Sequence, residues 1–118
     1  MTTEAIKKPL YATPEDMARD ECSLLLFLET QATDHDGQVE TRRMNKGDME
    51  IAKVWSEQGY IVWKRMPMAL IQHVAKFGAP RTHNVVLSEA AWDMAHRLRK
   101  AKGLRGVDRY KKKLEDED

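Results

Sequence analysis

Four histidines, one cysteine and a run of nine cations are the residues of this chain whose types could carry chemistry. His35 sits in "DHD", flanked by acids on one short segment, without the i, i+4 or strand-paired spacing of a metal site, so a hydrated turn is expected there. His73 belongs to no motif, and His83 and His96 are each placed to hydrogen-bond locally or to pack. Cys22 lies in the middle of an apolar segment and reads as core rather than as a nucleophile. Glycine-rich phosphate loops, a Gly-x-Ser-x-Gly elbow, an HExxH pair and paired CxxC motifs do not occur in the sequence. No catalytic residue, no metal site and no cofactor is therefore expected, and the chain is read as a binding protein rather than an enzyme.

The cation run is "RLRKAKGLRGVDRYKKK", residues 97 to 113, with nine basic residues and one acid. Each cation could neutralise a phosphate and release a counterion, and Tyr110 could stack on a base. The competing reading is a solvated helix end and charged tail, its cations favoured by the negative end of the helix dipole. "LEDED" follows directly and could cover the basic block in the free chain. The formal charge of +1 hides this segregation: residues 1 to 50 hold six basic and eleven acidic groups, residues 51 to 96 hold five and three, and the last five residues hold only acids, four of them. Net charge thus says little about partners, whereas the local blocks say more.

These residues must be positioned by a single core. At 118 residues, with 42% hydrophobic and 33% charged, the chain fits one soluble globular domain. Its longest apolar runs, "LLLFL" at 24 to 28 and "MPMALI" at 66 to 71, fall far short of the ~20 residues needed to span a bilayer. No apolar stretch follows Lys7 and Lys8 as a secretory signal would require, and a lone cysteine suits a reducing compartment, so a cytoplasmic location is expected.

Along the chain, residues 1 to 12 lack periodicity and read as an arm. Thr13, Pro14, Glu15 and Asp16 have the chemistry of a helix start, and Met17, Ala18, Leu24, Leu25, Leu28 and Ala32 give a buried helix that "TDHDG" ends. A short strand is expected in "VETRRM", residues 39 to 44, then a helix capped by Asn45 and closed at Gly59, with Ile51, Ala52 and Trp55 inward. "YIVWKRM" alternates as a strand with Ile61 and Trp63 on one face and Val62 and Lys64 on the other. "MALIQHVAKFG" reads as a helical turn ending at Gly78, "HNVVL" as the last strand, and Ser88 as the cap of a helix from Glu89 to about Lys102. Of the tryptophans, Trp55 and Trp92 are expected in the core and Trp63 exposed, while Met44, Met49, Met66 and Met68 suit an adaptable surface or a loosely specified core.

The order helix, weak strand, helix, strand, loop, strand, capped helix, together with "VVLSEAAWDMAHRLRK" at its end, resembles a winged-helix domain over roughly residues 14 to 102. In length and charged ends the chain is also similar to small proteins of phages and mobile elements. The resemblance implies an α+β fold of three to four helices with a two- to three-stranded antiparallel sheet, a domain over 13–102 and a flexible charged tail over 103–118. It departs from the family in one respect: a single helix, 46 to 58, precedes the hairpin where two are usual, and its Lys46, Glu50 and Lys53 mix charges in a way that suits phosphate poorly. Nucleic acid would be met by the hairpin, through Lys64, Arg65 and Arg81, and by the closing helix and tail, through Arg97, Arg99, Lys100, Lys102, Arg105, Arg109 and Lys111, with Arg42 and Arg43 extending the surface. The alternative is a protein-interaction module or small inhibitor that docks on a partner protein; a homodimer stays open, and no membrane partner is expected.

Overall fold

A computed structural model describes residues 10–78 and 80–116; the expected arm lies outside them as far as residue 9. Four helices and three strands follow in the order α1 Arg19–Asp34, β1 Gln38–Val39, α2 Lys46–Glu57, β2 Ile61–Arg65, α3 Met68–Ala75, β3 His83–Leu87 and α4 Glu89–Asp116. The strands form one antiparallel sheet in the order β1-β3-β2, with β2 and β3 joined as a hairpin that carries α3 in its loop. This is the α+β, winged-helix-like arrangement that the element order predicts.

Local chemistry sets most of the boundaries. Asn45 Oδ1 accepts from the Asp48 amide at 2.7 Å, and the Asp48 carboxylate accepts from the Asn45 amide at 3.2 Å, a reciprocal cap that starts α2. Ser88 Oγ accepts from the Ala91 amide at 3.1 Å and starts α4 directly off the end of β3. At the other end of β1, Gly37 takes φ +83°, and a Cβ there would meet the Val85 carbonyl oxygen at 2.6 Å, so only glycine allows this close approach to β3.

The first helix begins later than Thr13 suggests. The Asp16 carboxylate accepts from the Thr13 and Ala12 amides and closes only a 3-10 turn over Pro14–Asp16. Met17 then turns extended to bury its side chain, and a second start follows at Arg19, where Glu21 accepts from the Ala18 amide at 2.7 Å. Likewise "VETRRM" is not a strand throughout: β1 has two residues, and Thr41–Arg43 form a 3-10 turn whose Thr41 hydroxyl bonds that of Thr82 at 2.8 Å. The last helix does not end near Lys102 but continues to Asp116.

The core lies between α1, α2, α4 and one face of the sheet. Leu24, Leu25 and Leu28 of α1 meet Ala52 and Trp55 of α2, Ile61, Val85 and Leu87 of the sheet, and Ala91, Met94, Ala95 and Leu98 of α4. Burying each large aliphatic side chain contributes about 1.5–3 kcal/mol. Trp55, 1% exposed, packs edge-on against Tyr60 and Tyr11, and its indole donates to the Tyr11 hydroxyl at 3.0 Å. Trp92 packs at the margin of the same core. Trp63 is not exposed as expected: it is half-buried against the core and stacks on the His83 ring, centroids 4.8 Å apart.

Candidate nucleic-acid interface

The hairpin alternates as a half-buried sheet must. Ile61, Trp63 and Arg65 pair with Leu87, Val85 and His83 on the core side, while Val62 and Lys64 pair with Val86 and Asn84 on the outer side. Met66, 2% exposed, anchors the end of β2, and its amide donates to the Thr82 carbonyl at 2.8 Å. Beyond that anchor the chain leaves the core and forms the wing with α3. From Gln58 to Ser88 the sequence contains no aspartate and no glutamate, but it contains Lys64, Arg65, Lys76 and Arg81. Lys64, Arg65 and Lys76 are exposed, and no ion pair engages them among the described residues. Lys76 caps α3 and is not among the cations expected at the interface from the sequence, although the absence of acids around it is a signal the sequence carries.

His83 does not add to this charge near neutrality. Burial, and then the neighbouring Arg65 charge, hold its pKa below the ordinary histidine value, and its Nδ1 lies 2.9 Å from the Thr82 hydroxyl.

The remaining predicted cations have other employment or another location. Arg81 donates from Nη1 to the buried Gln31 side chain at 2.8 Å and to the Gln38 carbonyl at 2.9 Å, tying the wing to α1 and β1. Arg42 pairs with Glu40 at 2.7 Å, which holds the Glu40 carboxyl below its usual range, and Arg43 lies 5.5 Å over the Phe27 ring. Arg99 is spent on α1, donating to the Glu29 carboxylate, to Thr30 Oγ1 at 2.7 Å and to the Leu26 carbonyl at 3.2 Å. Arg97 donates to the Ala12 carbonyl at 3.3 Å. Lys100, Lys102, Arg105, Arg109 and Lys111 are exposed along α4.

These cations form two groups rather than one. The wing group sits beside the second half of α1, where Arg81 meets Gln31 and Arg43 meets Phe27. α4 runs antiparallel to α1, with Arg99 at Leu26 to Thr30 and Arg105 close enough to oppose the rise that burial and Glu21 cause in the Cys22 pKa. The basic block of α4 therefore extends toward the beginning of α1, a helix of about 24 Å from end to end. There Arg105 and Glu21 both act on Cys22, while in the wing group Arg81 lies near enough to Glu40 to help hold that carboxyl low.

Where a helix-turn-helix would present its reading helix, one 3-10 turn leads into α2, whose exposed residues include Lys46, Glu50, Lys53 and Glu57. The groove beside it, lined by Tyr11, Ile51 and Val54, also holds Glu21 and Glu50, a poor seat for phosphate. The histidines lie apart: His35 in the loop after α1, His73 against Phe77, His83 in the wing and His96 4.0 Å from Glu29. Among the described residues no group of three or more histidines, cysteines or acids is placed to hold a metal, and no helix is long and apolar enough to cross a membrane. Comparison with protein-family models, with curated proteins and with solved structures finds no match to the chain.

Proposed function

We propose that this chain is a winged-helix protein of the phage or mobile-element kind that acts in the cytoplasm by binding nucleic acid, without catalysis, through its wing. One observation carries the reading: from Gln58 to Ser88 the sequence contains no acid, and Lys64, Arg65 and Lys76 within that stretch are exposed. Lys64, Arg65 and Lys76 are the phosphate contacts; Lys102, Arg105 and Arg109 on α4 add steering, weakened by the acids at the start of α1. Arg42, Arg43, Arg81 and Arg99 support the surface by holding the turn, the wing and α1 in place.

Binding of the full chain to labelled duplex and single strand across a salt series tests this. Replacing Lys64, Arg65 and Lys76 together by alanine is expected to make the slope of log affinity against log salt shallower by about 2 to 3, one counterion per lost phosphate contact. The same replacement of Lys102, Arg105 and Arg109 is expected to change it less. Affinity and slope unchanged in the wing variant would overturn the assignment.

A second reading, docking on a partner protein, is favoured by α3. This helix carries Met68, Leu70, Ile71 and Val74, buries none of its residues fully, and is followed by Phe77 at 78% exposure. Failure of every nucleic acid to bind, with capture of one protein abolished by Phe77→Ser, would favour it over the first.

A further inference from the structure

Phe77 is the most exposed large apolar side chain among the described residues, at 78%. It is nevertheless held in place. Its amide donates to the Val74 carbonyl at 3.0 Å in the turn that closes α3, and its ring meets the His73 ring edge-on, centroids 5.2 Å apart. The core does not use this ring: Leu70, Ile71 and Val74 are the half-buried residues of α3, and Phe77 lies outside the core cluster. An aromatic side chain that is both ordered and exposed is already arranged for a ligand, since little of its freedom is left to lose on binding.

The surroundings of the ring select the ligand. Lys76 precedes it and is exposed, Lys64 and Arg65 are exposed on the same hairpin, and no acid occurs from Gln58 to Ser88. An aromatic ring among cations suits a ligand that offers a flat π-face and phosphates together, as a nucleic-acid strand does. His73 and Lys76 beside it are polar and exposed, so the apolar area on offer is that of one ring, the size of a base rather than of a helix groove. The other rings of the hairpin have different work, because Trp63 and His83 stack on each other on the core side and Tyr60 is buried. A paired duplex keeps both faces of every base covered, and a ring inserted at one step replaces stacking that must first be broken. An unpaired base meets the ring without that cost.

We infer that Phe77 stacks on one unpaired base, which makes the wing a site for single-stranded nucleic acid. The inference rests on the wing reading above and divides the work within the wing: Lys64, Arg65 and Lys76 meet phosphates, and Phe77 meets a base. Stacking requires only a base face, so the site distinguishes unpaired from paired bases rather than one sequence from another.

Binding of the full chain to labelled probes of equal length tests it: oligothymidine, a base-free deoxyribose phosphate strand, and a duplex. Phe77→Ala is expected to weaken binding to oligothymidine by about 5- to 100-fold, the range that one aromatic stack provides. Its affinity for the base-free strand and for the duplex, its salt slope and its urea midpoint are expected to match the parent's, because the ring is exposed and uncharged. Phe77→Trp is expected to keep the parent's affinity for oligothymidine, and alanine at Lys64, Arg65 and Lys76 together to weaken binding to oligothymidine and the base-free strand alike. A Phe77→Ala chain that binds oligothymidine as the parent does, or that loses affinity equally for all the probes, overturns the inference. If the lysine and arginine variant still flattens the salt slope, the wing reading survives that result and only the base contact falls. Failure of the parent chain to bind any probe removes both, and Phe77-dependent capture of a protein in that case assigns the ring to the second reading.

Discussion

Arg99 illustrates how a residue counted as available charge becomes structure. From the sequence it is one of nine cations in a basic run, yet it makes three hydrogen bonds to α1 and faces the buried Glu29 carboxylate. Arg99→Ala would leave that carboxylate without its ion partner, and a loss of about 2 kcal/mol in urea unfolding is expected; Arg105→Ala, on an exposed surface, should stay within about 0.5 kcal/mol. Tyr60 is the converse, a buried hydroxyl without a hydrogen-bond partner among the described residues. Tyr60→Phe is expected to match or exceed the parent in stability at neutral pH, by up to about 1 kcal/mol. The Tyr60 and Tyr11 phenols are both pushed up to about 12, chiefly by burial. Because the unfolded chain gives up these protons near pH 10, their contribution is fully present below that pH and is lost as pH rises to about 12. Urea midpoints at a series of alkaline pH values should fall for the parent chain and fall less for Tyr60→Phe.

At the scale of elements, the legible boundaries are those set by bonds between residues three apart. Asn45 with Asp48 and Ser88 with Ala91 are complete within a few residues, so the starts of α2 and α4 could be read directly. The hairpin strands were equally legible, since alternation over "YIVWKRM" and "HNVVL" records which face meets the core. β1 was not, because its length depends on β3: Gly37 and Val39 supply carbonyls to Val85 and Thr82, and after that the chain turns to meet the wing root. Gly37→Ala is the corresponding test. With φ at +83° and the Val85 carbonyl in the way, it is expected to destabilise by more than about 1 kcal/mol, with the loss seen first in exchange protection of the Val85 amide.

At the scale of the whole molecule, charge is divided between a wing without acids and a long helix whose basic side faces an acidic helix start. The salt-slope comparison of wing and α4 variants belongs to this scale, because it asks which of two separated groups meets phosphate. By itself the sequence determined the α+β class, the caps of α2 and α4, the hairpin's inward and outward faces and the core position of Trp55. Those features rest on short-range hydrogen bonds and on periodicity, which one segment carries alone. Only the tertiary structure decided that Met17 breaks the first helix, that Trp63 stacks on His83, and that Arg81 and Arg99 are clamps rather than free cations. The physical reason is that each of these depends on groups distant in the chain: an arginine's charge is written in the sequence, but whether it is spent within the fold is set by the carboxylates and carbonyls that folding brings to it.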